Sequence, residues 1–206
     1  MQQINLSNRI FRDLEHLVEH IASSKEYKAR TSENATWYFD VLKEICSKEE
    51  VRVVAEWGTF QGCSAAAMAT QDIDVLWTYD TKVHSPAERQ VIKTHANNFN
   101  PKLDFQYKIG DTRKGEEIEV DFTFLDNVHN GTWVYSELKA HAPKVKHYIA
   151  IHDTLLEDRG MPEKLDSKKN IVWHGVTKFL NENKEWKLYK HVLTGSGIAV
   201  LEKNNK

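Results

Sequence analysis

The 206-residue chain carries 28 Lys and Arg against 30 Asp and Glu, a formal net charge of −2, with 40% hydrophobic and 28% charged residues. That size and composition suit one globular domain with a sizeable core, and the near-neutral balance gives no electrostatic case for nucleic acid or an anionic membrane as partner. The only cysteines, Cys46 and Cys63, fit neither a disulfide framework nor a cysteine metal site, and no apolar run reaches membrane-spanning length.

The start of the chain, MQQINLSNRIFRDLEHL, has no apolar stretch behind a basic one, so it does not read as a secretory signal. A cytoplasmic location is the expectation, and the N-x-[ST] triplets at Asn5, Asn34 and Asn130 then read as chance. Ile10, Phe11, Leu14, Leu17, Val18 and Ile21 recur at helical spacing and predict an amphipathic helix over 8–22. Residues 23–32 are polar and read as a loop. Trp37, Tyr38, Val41, Leu42, Ile45 and Cys46 predict a second helix, its aromatic stripe read as core packing. The two helices are expected to cover one edge of a sheet and to approach the ligand.

The next stretch, VRVVAEWGTFQGCSAAAM over 51–68, reads as a buried strand, a glycine-containing turn and the start of a helix. Val51, Val53 and Val54 are β-branched, and Glu56 closes the strand. Gly58 and Gly62 allow a tight turn and close approach of backbone to a ligand. Thr59 lies within the turn, Ser64 follows it, and the helix start presents unpaired N–H groups. Glu56 can accept hydrogen bonds from an amine or a hydroxyl, which suits a nucleoside-like ligand with a positive charge better than a phosphate. The dinucleotide fingerprint G-x-G-x-x-G is not matched, and the phosphate-cradling G-x-x-x-x-G-K-[ST] is missing.

VLWTYD over 75–80 predicts a second strand, and Asp80 at its end reads either as a ribose-binding carboxylate or as a solvated strand-end acid. Ser85-Pro86-Ala87-Glu88 is a capping box with proline at the first helical position, predicting a helix to about residue 98. Residues 103–109 form a third predicted strand closed by Gly110-Asp111-Thr112. Asp111 stands near an adenine amino group or simply forms the turn. VDFTFL over 120–125 predicts a fourth strand ending at Asp126, and a helix through Trp133, Val134 and Leu138 leads to Pro143. HYIAI over 147–151 predicts a fifth strand ending in His152-Asp153-Thr154. The charged segment 155–170 has the length of a functional loop and is a candidate lid. Val172, Val176, Phe179 and Leu180 mark a helix to about residue 183, and strands over 186–192 and 198–201 form a hairpin.

Five strands alternating with helices imply an α/β fold, a mostly parallel sheet with helices on both faces and a C-terminal antiparallel hairpin. The carboxyl ends of parallel strands face the ligand crevice. Asp126 and the His152-Asp153 pair end neighbouring predicted strands and should converge there. His129, one turn beyond Asp126, can point into the same space. Two carboxylates with one or two imidazoles could bind a divalent cation or hold a catalytic base, and each group by itself could equally be a cap or a packed histidine.

The run E-x-G-x-x-x-G-x-S from Glu56 to Ser64 resembles the first motif of the class I S-adenosylmethionine (SAM) methyltransferases. FLDNVHN, APKVKHYIAIHDT and GVTKFL…EWKLYKHVLTGSGIAVLEK extend the likeness over residues 51–202. They resemble the branch that includes cephalosporin-hydroxylase-like proteins and metal-dependent sugar O-methyltransferases. The resemblance implies a single Rossmann-like domain with a seven-stranded sheet, residues 1–48 forming a helical cap and 51–202 the core. It also implies SAM as cofactor, bound by Glu56, Gly58, Thr59, Gly62, Ser64, Asp80, Asp111 and Asp126. Asp126 and Asp153 match positions that hold Mg²⁺ in metal-dependent relatives, with Asp126, His129 or His152 as catalytic groups. The partner would be a small-molecule acceptor, with no nucleic acid or membrane, and a homodimer could form through the N-terminal helices. Two departures stand out. Val128 occupies the place of a second acid after Asp126, and Pro143-Lys144-Val145-Lys146 replaces the usual P-G-G turn. The loss at Val128 motivates an alternative, a SAM- or nucleotide-binding module without methyl transfer. A further alternative is another transferase on the same fold.

Overall fold

A computed structural model describes residues 37–59, 62–81, 93, 97–98, 100–155 and 171–204. The helix expected over 8–22, the loop expected over 23–32, most of the helix capped at Ser85 and residues 156–170 of the candidate lid lie outside these residues. In chain order the elements are α1 (Trp37–Cys46), β1 (Val53–Trp57), α2 (Cys63–Ala69), β2 (Val75–Asp80), β3 (Asp104–Ile109), β4 (Val120–Leu125), α3 (Gly131–His141), β5 (Val145–His152), α4 (Val172–Glu182), β6 (Trp186–Val192) and β7 (Ile198–Lys203). Short 3-10 turns occupy Thr112–Lys114 and Ala142–Lys144. Among the described residues no helix is long and apolar enough to cross a membrane.

The strands make one seven-stranded sheet in the order β3-β2-β1-β4-β5-β7-β6. Strands β1 to β5 are parallel, and β7 runs antiparallel between β5 and β6. The chain builds outward from β1 through β2 to β3, then returns to lay β4 on the other side of β1. That reversal opens a crevice beyond the carboxyl ends of β1 and β4. The fifth strand is longer than the expected 147–151: Val145 pairs with Val120 at one end, and His152 pairs with Ile198 at the other. The hairpin order follows from burial. Ile198 to Leu201 are all buried and take the interior position, whereas β6 carries Lys187, Leu188 and Tyr189 on exposed positions and forms the edge, where lysines also discourage pairing with another sheet.

Side-chain alternation along each strand divides the core into two layers. Val54, Phe122, Phe124, Ala150 and Val200 pack on one face with Leu42 and Ile45 of α1 and Met68 of α2. Ala55, Trp57, Leu125, Ile149, Ile151 and Leu201 pack on the other with Leu138 of α3 and Val176 and Phe179 of α4. Strands covered on both sides read as continuous apolar runs, as VDFTFL does. The second N-terminal helix therefore lies on a face of the sheet and not at its edge, because Val41, Leu42 and Ile45 all bury against strand residues. On the opposite face α3 and α4 approach backbone to backbone. A Cβ on Gly175 would lie 2.1 Å from the carbonyl oxygen of Gly131.

Candidate functional site

At the end of β1, alternation turns Glu56 toward the face covered by α2, where it is fully buried. Ser64 Oγ donates to one of its carboxyl oxygens and Thr78 Oγ1 contacts the other. Thr59 Oγ1 contacts Thr78 Oγ1 and donates to the Tyr79 carbonyl at 3.0 Å. If the Thr59 proton goes to Tyr79, the single Thr78 proton cannot serve both Thr59 and Glu56, and a proton on Glu56 completes the chain. Burial agrees with this count: it pushes the Glu56 carboxyl up to about 8, against the opposing pull of the Ser64 and Thr78 hydroxyls. Glu56, Thr59 and Ser64 thus form the inner frame of the turn.

The turn meets the crevice at Gly58, whose φ is +108°. Its N–H donates to the Tyr79 carbonyl at 2.9 Å. A Cβ there would sit 2.0 Å from the Asp126 carbonyl oxygen, so the ends of β1 and β4 can close together only over a glycine. Gly62 caps α2 in the left-handed region at φ 78°, a conformation glycine adopts at little cost.

A cleft of about 690 Å³ runs across the ends of β3, β2, β1 and β4. Its lining includes Asp80, Ile109, Asp111, Arg113, Asp126 and Trp133, together with Gly58. Asp111 is the N-cap of the Thr112–Lys114 turn and accepts from the backbone N–H of Arg113. It also receives the Arg113 side chain, Nε at 2.9 Å and Nη2 at 2.6 Å. That fork holds the Asp111 carboxyl down at about 2. Arg113 lies over the Trp133 ring, 4.6 Å from its centre. Thr112 anchors the turn from below: its hydroxyl donates to Glu137, and its carbonyl lies 2.8 Å from His141 Nε2. Val128 is also in the lining and 43% exposed, so the side chain that replaces an acid faces the cleft.

Asp126, His129, His152 and Asp153 converge because β4 and β5 are neighbours. His152 Nδ1 lies 3.2 Å from Asp126 Oδ1 and 3.4 Å from Asp153 Oδ1. His129 Nε2 lies 2.7 Å from Asp153 Oδ2 and 3.8 Å from Asp126 Oδ1. Asp153 is buried and holds a positive φ of 58°, a conformation more accessible to Asp than to most residues and one that clusters at functional sites. Asp126 and Asp153 together push His129 up to about 10. Burial opposes a charge on His152, but Asp126 and Asp153 outweigh it and raise its pKa. Burial likewise opposes ionisation of Asp126, and the two histidines outweigh it and hold the carboxyl below its usual range. Tyr38 of α1 packs on the His152 ring at 4.3 Å between centres, so α1 does reach this site. Asp126, His152 and Asp153 each offer one donor atom, and these atoms lie within 4.8 Å of one another, so the donor set fits a divalent cation.

The structure therefore gathers Gly58, Asp80, Asp111 and Asp126 on one cleft and sets His129, His152 and Asp153 around Asp126. It places Glu56, Thr59 and Ser64 behind the turn. Sequence reasoning did not single out Ile109, Arg113 or Trp133 as cleft residues, nor Thr78, Tyr38 and Ser196 as supports. Arg113, two residues after a strand-end Asp, carried the one readable signal, since a side chain there can fold back on the acid.

No family model matches the chain, and no curated protein matches it in sequence. Solved structures do match. The O-methyltransferase TomG from Streptomyces achromogenes, involved in tomaymycin synthesis and solved with SAM, is 13% identical at a TM-score of 0.65, covering 92% of this chain and 89% of its own. A methyltransferase from Geobacter sulfurreducens is 15% identical at a TM-score of 0.62, covering 93% and 88%. An O-methyltransferase from Bacillus cereus, solved with SAH, is 14% identical at a TM-score of 0.60, covering 93% and 90%. Likeness at this level of identity is a likeness of fold: the chain has the Rossmann-like fold of the class I methyltransferases.

Proposed function

We propose that the protein is a SAM-dependent methyltransferase acting on oxygen of a small hydroxylated acceptor such as a sugar or secondary metabolite. The supporting observation is that Asp80 and Asp126 line one and the same cleft. These acids end β2 and β4, two strand spacings apart across β1, a span of about 10 Å that suits a nucleoside with its reactive group at one end. Asp80 accepts hydrogen bonds from the ribose hydroxyls, Ile109 and Trp133 flank the base, and Gly58 lets the ligand lie on the backbone. Asp111, fixed by Arg113, stands at the base end. The sulfonium then points toward Asp126, the carboxylate at the other end of the cleft. The neighbours solved with SAM and SAH and named O-methyltransferases support the same reading.

In the reaction the acceptor oxygen forms a bond to the methyl carbon in line with the C–S bond. That bond breaks, its electron pair stays on sulfur, and S-adenosylhomocysteine leaves. Alignment of the two reactants supplies most of the acceleration. The hydroxyl proton passes to a base; Asp126, which lines the cleft, and His152 beside it are the candidates, whereas His129, held protonated at neutral pH by Asp126 and Asp153, supplies positive charge to them. Asp126 and Asp153 would hold a divalent cation, which when bound lowers the pKa of a hydroxyl beside it. No nucleic acid or membrane partner is proposed. Calorimetric titration of SAM into the wild type and into Asp80→Asn tests the reading. One-site binding, weakened about tenfold or more in the variant by the lost ribose contacts, is expected. No heat of binding in the wild type would overturn it.

A further inference from the structure

We infer that Asp126, His152 and Asp153 form a centre for a divalent first-row transition ion, with His152 Nδ1 as a nitrogen ligand, and not an oxygen-only site for Mg²⁺. This rests on the proposed location of the metal but not on methyl transfer, since the argument needs only the three side chains and their supports.

Spacing is the first support. An ion about 2.0–2.1 Å from each ligand holds neighbouring ligands about 3.0 Å apart in octahedral and about 3.4 Å apart in tetrahedral geometry. His152 Nδ1 stands 3.2 Å and 3.4 Å from its two carboxylate oxygens, close to these spacings, and all three donor atoms lie within 4.8 Å of one another.

The second support is independent and concerns the imidazole. Ser196, on the turn between β6 and β7, places its Oγ 3.2 Å from His152 Nε2. The hydroxyl can accept an Nε2 proton or donate to Nε2. With the proton on Nε2, the Nδ1 lone pair faces two carboxylates, an arrangement that a cation between them relieves. A histidine whose second nitrogen donates to an outer partner is also how metal-binding imidazoles are oriented. A proton on Nδ1 is the competing cation, and the experiment must separate the two.

Donor chemistry then selects the ion. Mg²⁺ prefers six oxygens and keeps several waters. Here one of three donors is nitrogen, the His152 and Asp153 side chains are only 12% and 8% exposed, and Val128 adds no oxygen. Imidazole with carboxylate suits Zn²⁺, Fe²⁺ and their neighbours. His129 brings a second imidazole to the edge of the cluster, 2.7 Å from Asp153. Asp126 also lines the cleft, so open coordination positions face the ligand side.

The test uses the metal-stripped full-length protein, with Zn²⁺ and Mg²⁺ titrated calorimetrically and the imidazole nitrogens followed by ¹⁵N NMR. One equivalent of Zn²⁺ should shift the His152 Nδ1 resonance, and excess Mg²⁺ should not displace it. Asp126→Asn should weaken Zn²⁺ about tenfold or more, and His152→Asp should weaken Zn²⁺ while strengthening Mg²⁺. Failure of Zn²⁺ to bind, an unmoved His152 resonance, displacement by Mg²⁺, or unchanged Zn²⁺ affinity in Asp126→Asn would each overturn the inference. The NMR readout is made on wild-type protein, so it stands even where a variant does not fold. A parallel SAM titration separates the readings. Zn²⁺ bound through His152 without SAM binding keeps the centre and removes the methyltransferase reading, and the converse removes the centre alone.

Discussion

Glu56 offers the sharpest test of how the turn after β1 is built. Replacing it with Gln keeps the shape: the amide oxygen accepts from Ser64, and the amide nitrogen takes the place of the carboxyl oxygen that Thr78 Oγ1 contacts. What changes is that Gln cannot ionise. In the wild type the carboxyl rises from 4.5 to about 8 on folding. The native state then holds the proton more tightly than the unfolded chain, so the stability this group contributes is fully present below about pH 4.5 and is lost as pH rises through about 8. At 1.36 kcal/mol per pKa unit the full loss is about 5 kcal/mol. Urea denaturation of both proteins from about pH 5 to pH 9 measures it, and subtracting one curve from the other cancels every other titrating group. Gln should be close to neutral at the acid end and gain on the wild type by about 1.4 kcal/mol per pH unit until the difference levels near pH 8. Parallel curves across the range would refute both the buried proton and the hydroxyl count that places it.

Two glycine replacements test the close approaches. Gly58→Ala puts a Cβ 2.0 Å from a β4-end carbonyl at a φ of +108°. It should cost about 2–4 kcal/mol by denaturation and remove most SAM binding, and wild-type values for both would show that the turn relaxes freely. Gly175→Ala would ordinarily stabilise a helix by about 1 kcal/mol. With Gly131 O 2.1 Å from the new atom it should instead destabilise by about 1–3 kcal/mol, read as a lower melting temperature, and a higher one would contradict the backbone contact between α3 and α4.

Much of this protein is legible in its sequence because the signals are local. Period-two and buried runs gave strands over 75–80 and 120–125 with the ends the structure has. The glycines of the first turn and the acids closing each strand also needed only neighbouring residues to be noticed. Strand-end acids in an alternating β/α chain must share one crevice, so the convergence of Asp126 with His152 and Asp153 followed once the order of strands was expected. The third dimension decided three further things. Glu56 faces inward because Ser64 and Thr78, eight and 22 residues away, close around it; a strand-end acid could have turned to the ligand with the same sequence around it. The N-terminal helix sits on a face of the sheet, where Tyr38 reaches His152, because the free energy of burying Leu42 and Ile45 depends on which surface is open to receive them. Ser196 reaches His152 Nε2 from 44 residues away, which requires β7 to return antiparallel beside β5. Periodicity reports what one segment prefers by itself, and none of these three contacts lies within one segment.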